Sequence, residues 1–151
     1  AKLFEAAGRV GAMLAQASPA QEQALADYGM HLGTAFQIID DVLDYSGDAD
    51  TIGKSLGDDL AEGKPTLPLI YVMQQGAPAD AALVTEALQH ANRDHFAAVL
   101  AAVQRAGALD YARARAAEAA EAAVRALDAL PDTETRTAMV ELARLSVSRD
   151  A

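Results

Sequence analysis

Three aspartates, Asp40, Asp41 and Asp44, stand in the stretch Phe36-Gln37-Ile38-Ile39-Asp40-Asp41-Val42-Leu43-Asp44-Tyr45, whose other residues are mostly apolar. A carboxylate taken out of water is costly unless a cation or hydrogen-bond donors hold it. On a helix Asp40 and Asp44 fall one turn apart on one face, with Asp41 about 100° round the axis from Asp40. Carboxylates this close oppose one another's ionisation. Hard oxygen donors suit a hard divalent cation such as magnesium, which keeps several waters and binds through one or two carboxylates plus phosphate. The chemistry implied is a magnesium and phosphate site on a largely buried helix.

The rest of the chain must supply that helix and its surroundings. With 151 residues, 52% hydrophobic but only 5% aromatic, it reads as one alanine-rich, all-α domain. The excess of 22 acidic over 12 basic residues, net −10, argues against nucleic acid or an anionic membrane surface as partner and favours bound cations. Without cysteine there is neither a disulfide framework nor a thiolate metal site, which fits a reducing compartment, with the cytoplasm expected. No uninterrupted apolar run reaches the length of a membrane span, and Ala1-Lys2-Leu3-Phe4 opens no signal-peptide core. Leu3, Ala6, Ala7, Val10 and Leu14 already carry a helical period with no cap before it, so further residues are expected upstream.

Ser18-Pro19-Ala20-Gln21 has a hydroxyl cap, proline at the first helical position and glutamine at the third, a reciprocal capping box. It starts a helix predicted from Pro19 to about Tyr45, long enough to carry the aspartates well into the fold. Gly29 and Gly33 lie on its path, and glycines four apart imply close approach of another helix or of an elongated ligand. From Ser46 to Pro65 the period stops, and Gly47, Gly53, Gly57 and Gly63 alternate with charged residues in what reads as a long polar loop. Such loops are often lids or ligand loops. Its cations Lys54 and Lys64 could close over a diphosphate. Asp48, Asp50, Gly53 and Asp59 partly match a calcium loop, but Ile52 stands where an oxygen ligand is wanted and Asp59 where a bidentate glutamate is.

Thr66-Leu67-Pro68 restarts a helix with a hydroxyl cap, ending at Gly76-Ala77-Pro78. Further helices are predicted near 79–91, 94–106 with Gly107 as cap, 108–130 and 133–149. Ala112, Ala116, Ala119, Ala120, Ala123, Val124 and Leu127 form a buried stripe, opposite a solvated face of Arg113, Arg115, Glu118, Glu121 and Arg125. His31, His90 and His95 lack catalytic spacing to the aspartates, and Ser146 and Ser148 have no base at useful local spacing.

The stretch Phe36 to Tyr45, followed by Gly53-Lys54, Gly57-Asp58-Asp59-Leu60 and Glu62-Gly63-Lys64-Pro65-Thr66-Leu67-Pro68, resembles the second aspartate-rich region of the trans-isoprenyl diphosphate synthases. The long-chain polyprenyl branch, the octaprenyl diphosphate synthases in particular, is most similar. The resemblance extends from Leu3-Phe4-Glu5-Ala6-Ala7 to Leu130-Pro131-Asp132-Thr133.

The resemblance implies the C-terminal helices of the isoprenoid-synthase fold, an all-helical fold around a deep apolar cavity. In that pattern Asp40 and Asp44 coordinate magnesium bridging an allylic diphosphate, and Asp41 completes the cluster. Gln37 hydrogen-bonds near the diphosphate, Lys54 neutralises it as it departs, and Asp59 and Lys64 support metal and phosphate binding. Phe36 lines the cavity beside the allylic cation or is plain core. The implied reaction is repeated condensation of an allylic prenyl diphosphate with isopentenyl diphosphate, making the long polyprenyl diphosphate of quinone side chains. The first aspartate-rich motif, the chain-length determinants just before it, the arginines after it and a Lys-Thr pair expected immediately before Ala1 have no counterpart in residues 1–151. The chain is therefore expected to be the C-terminal portion of a single synthase domain, inactive alone, and either homodimeric as in the family or self-associating. A noncatalytic helical partner subunit of a heteromeric synthase is the alternative, though it would be free to lose the acidic and lysine set.

Overall fold

The computed structural model describes residues 1–46, 56–91 and 93–148. Its elements are α1 (Lys2–Leu14), α2 (Pro19–Ser46), α3 (Asp58–Ala61), α4 (Leu67–Gln75), α5 (Pro78–His90), α6 (Phe96–Arg105), α7 (Ala108–Ala126), a 3-10 turn (Leu127–Ala129) and α8 (Glu134–Val147). No strand occurs among the described residues, and none of their helices is long and apolar enough to cross a membrane. The chain is all-α.

The described chain divides into two units, one built from Ala1–Ile39 with residues from Ala114 onward, the other from Asp40–Arg113. In the first, α1 folds back antiparallel on α2. The capping box forms as the sequence predicts: the Gln21 amide donates to Ser18 Oγ at 3.3 Å, and Gln21 Oε1 accepts from the Ser18 amide at 3.1 Å. Gly29 and Gly33 resolve as helix packing. A Cβ at Gly29 would stand 2.6 Å from the carbonyl carbon of Phe4, and one at Gly33 would stand 2.7 Å from Cα of Ala1. The Tyr28 hydroxyl donates to the Met139 carbonyl at 2.9 Å, tying α2 to α8 above a core of Leu32, Ala123, Leu127 and Ala143. Leu3, Met13 and Leu14 remain exposed. The stripe from Ala112 to Leu127 is covered, and the charged positions opposite are open to solvent, as their spacing predicts.

In the second unit α4, α5 and α6 pack on one another and α3 packs on α5. Leu60, Leu69, Val72, Val84, Val99 and Val103 are fully buried there together with Tyr45. Four local expectations change. Residues 58–61, read as loop, form a helical turn. The helix read from 94 begins at Phe96, and the one read to 130 gives way after Ala126 to a tighter turn. The Thr66 hydroxyl, read as a cap, makes no capping bond to α4 and is buried instead. Lys54 and the glycines and aspartates from Gly47 to Gly53 lie outside the described residues.

Candidate functional site

Helix α2 sets the register of the acidic residues. It continues unbroken through Asp40, Asp41 and Asp44, all three of them half-buried. Val42 between them and Tyr45 just after Asp44 are buried. Gln37 lies one turn earlier and is exposed. Phe36 packs its ring against Phe4 at 5.8 Å and lines an apolar cavity of about 500 Å³ with Leu32, Leu142 and Leu145.

The chain returns to the aspartates through α3. The amide of Asp58 donates to Asp44 Oδ1 and that of Asp59 to Asp44 Oδ2, each at 3.2 Å, while the amide of Gly57 donates to the Asp44 carbonyl at 3.3 Å. Glycine is required at position 57, where φ is +80° and a Cβ would lie 2.8 Å from Cε2 of Phe96. Past the turn, the Lys64 amide donates to the Asp59 carbonyl at 2.9 Å, and Lys64 Nζ donates to Asp59 Oδ1 at 2.7 Å. The exposed Arg93 guanidinium pairs with Asp58 on the outer side.

These contacts create a shared field. Burial and the neighbouring Asp59 carboxylate push the Asp44 carboxyl above its ordinary range, against the opposing pull of the amides and of Lys64. The hydrogen bond to Asp59 holds the Lys64 ammonium above the usual lysine range, and the Asp41 and Glu62 charges add to this. Burial drives the Tyr45 phenol far above its ordinary value. The Tyr45 hydroxyl faces that of Thr66, yet neither buried atom has a partner in hydrogen-bond geometry among the described residues.

Of the residues singled out in the sequence, Asp41, Asp44, Asp59 and Lys64 thus share one locality, with Asp40 one turn from Asp44 on α2. Lys54 lies outside the described residues. Sequence reasoning missed the part of Gly57 and of the Asp58 and Asp59 amides. The signal was present as a glycine followed by two acids, a pattern that suits a helix start. No three acidic or histidine side chains among the described residues converge closely enough to hold an ion by themselves. The oxygen-donor edge does fit magnesium, which takes its remaining oxygens from water and phosphate. His90 and His95 face each other at 6.2 Å where α5 gives way to α6.

Residues 1–105 match the polyprenyl synthetase family model. The chain is 51% identical, over 99% of its length and 46% of the relative's, to octaprenyl diphosphate synthase of Haemophilus influenzae. It superposes with TM-score 0.89 and 40% identity on a polyprenyl synthase from Caulobacter crescentus, solved with calcium and isoprenyl diphosphate, covering 99% of this chain and 46% of that one. A geranylgeranyl pyrophosphate synthase from Corynebacterium glutamicum, solved with isoprenyl diphosphate and magnesium, matches at TM-score 0.78 and 29% identity over 93% of this chain and 41% of that one. The chain thus spans about half the length of the relatives it matches. The all-helical architecture, the acidic edge of α2 and a family match over more than two thirds of the residues agree, and the chain belongs to the polyprenyl synthetase family.

Proposed function

We propose that this chain is the half of a magnesium-dependent, long-chain polyprenyl diphosphate synthase that forms one wall of its diphosphate site. The observation that carries the reading is the return of α3 to α2, which sets Asp59 and Lys64 beside the aspartates. Anionic and cationic groups held together in this way suit a ligand that is itself a metal–phosphate pair. The relatives solved with isoprenyl diphosphate and a divalent cation support the same choice of ligand.

In this reading Asp40, Asp41 and Asp59 of the acidic edge hold magnesium. When bound, the ion neutralises charge on the leaving diphosphate. Lys54 and Lys64 add fixed positive charge as the bond from C1 of the allylic substrate to diphosphate oxygen breaks. The double bond of isopentenyl diphosphate then attacks the allylic cation, and loss of a proton completes a five-carbon extension. Gln37 donates a hydrogen bond near the diphosphate. Phe36, one turn before Asp40 on α2, offers a ring face that suits the allylic cation. The product is a polyprenyl diphosphate of the length used for quinone side chains. The exposed Leu3, Met13 and Leu14 of α1 support burial of that face in the intact, self-associating protein.

The test is Asp40→Ala in the intact protein, assayed for magnesium-dependent incorporation of isopentenyl diphosphate into chloroform-extractable product. A loss of at least about a hundredfold with unchanged helicity is expected. Incorporation close to that of the unaltered protein would remove the proposed role of the acidic edge.

A further inference from the structure

Helix α3 begins with a difficulty. The first amides of any helix lack partners within it, and the residue before the first turn ordinarily supplies a side-chain oxygen. Here that residue is Gly57, which has no side chain, and its left-handed backbone against Phe96 leaves room for none. The missing oxygens come from another helix: Asp44 gives Oδ1 to the Asp58 amide and Oδ2 to the Asp59 amide, and its carbonyl accepts from the Gly57 amide. Three successive amides therefore converge on one residue of α2.

The chain beyond α3 hangs from that junction. Leu60 is wholly buried, and the backbone turns at Gly63 with φ +66°. Lys64 is then fixed to Asp59 through both its amide and its ammonium. A carboxylate offers about four lone-pair positions, and here each oxygen already spends one on a backbone donor. These donors belong to the protein, so the arrangement needs no cation.

We infer that Asp44 is a positioning residue, whose carboxylate caps α3 and so holds Asp59 and Lys64 at the acidic edge, leaving direct contact with the cation to other carboxylates. The purpose of the clamp rests on the diphosphate reading; its geometry does not. The two roles make opposite demands on asparagine. As a cap asparagine keeps one of the two accepting oxygens and so part of the clamp, whereas in place of a metal-binding carboxylate it removes the charge.

The experiment uses the intact protein, with Asp44→Ala, Asp44→Asn and Asp40→Asn beside the unaltered sequence. Amide hydrogen exchange is followed across 57–64 in the presence of chelator, and calorimetry measures the affinity for inorganic pyrophosphate with magnesium. Asp44→Ala should speed exchange at Asp58 and Asp59 about five- to thirtyfold, the loss of one helix cap. Asp44→Asn keeps one accepting oxygen and should leave one of the two amides protected, with pyrophosphate affinity within about threefold of the unaltered protein. Asp40→Asn should leave the exchange unchanged and weaken pyrophosphate binding at least about tenfold. Unchanged exchange in Asp44→Ala would overturn the clamp. Should that variant unfold, Asp44→Asn decides: one amide still protected but affinity lost as in Asp40→Asn would make Asp44 a ligand and overturn the inference. Pyrophosphate binding untouched in Asp40→Asn would sink the diphosphate reading, while the exchange rates would still judge the clamp.

Discussion

Gly57 lies against the ring of Phe96, with φ +80° and no room for a side chain between them. Two separable penalties meet any larger residue there: left-handed backbone costs about 1–2 kcal/mol, and overpacking about 1–3 kcal/mol. Gly57→Ala should therefore destabilise by about 2–5 kcal/mol, read from the urea midpoint. Adding Phe96→Leu should recover only the steric part. Full recovery in the double variant would show that the backbone conformation carries no cost.

Gly29 and Gly11 test packing against intrinsic helix preference. Alanine is favoured over glycine by up to about 1 kcal/mol inside a helix, so propensity alone predicts that both substitutions stabilise. At Gly11, where a new Cβ meets nothing within 4 Å, that gain should appear as a higher melting temperature. At Gly29 the new Cβ meets the backbone of Phe4, which cannot turn aside as a side chain can. Gly29→Ala should lower the melting temperature, at a cost of about 1–3 kcal/mol. Equal shifts in the two variants would mean that α1 yields at no cost.

Asp80 and Arg105 give a pH dependence with a defined sign. Arg105 Nη2 donates to Asp80 Oδ1 at 2.6 Å and Nε to Oδ2 at 3.3 Å, joining the first turn of α5 to the last turn of α6. This hydrogen bonding holds the Asp80 carboxyl below its ordinary value of 3.8. A depressed carboxyl in the folded state binds fewer protons than in the unfolded chain. Its contribution is therefore fully present above 3.8 and is lost as pH falls through the lower folded value. Asp80→Asn should melt slightly lower than the unaltered protein at pH 7, and the gap should close in acid. A gap that persisted below pH 2 would assign the effect to something other than the charge.

The elements differ in how far the sequence discloses them. The Ser18 and Gln21 capping box is local, so its residues declare it and the structure forms it. The glycines of α2 left open whether a helix or a ligand approaches, because spacing reports closeness without naming the neighbour; the backbone of Phe4 supplies that name. The turn at 58–61 left only a short local trace, Gly57 followed by two acids, for a physical reason. Four residues are too few to show a period, and the cap comes from Asp44, far away in sequence. Thr66 misled by the same mechanism in reverse: a hydroxyl before a helix reads as a cap, yet here it turns inward toward Tyr45. The aspartates and Lys64 were legible as chemistry. That they meet Asp59 through one clamped turn depends on tertiary packing.

On the proposed reading, the acidic edge of α2 sets the limit on what residues 1–151 can do alone. Among the described residues no three side chains converge to hold an ion, and the sequence carries a single aspartate-rich motif. A diphosphate neutralised from one side only leaves with much of its charge unopposed, and each missing electrostatic partner costs about a hundredfold or more. The 151-residue polypeptide should therefore incorporate no isopentenyl diphosphate with magnesium, while its circular dichroism should still be helical. Co-expression with a second polypeptide bearing another aspartate-rich motif from the same synthase should restore incorporation. Robust elongation by the 151 residues alone would show that one acidic motif suffices, and would remove the need for an opposing wall.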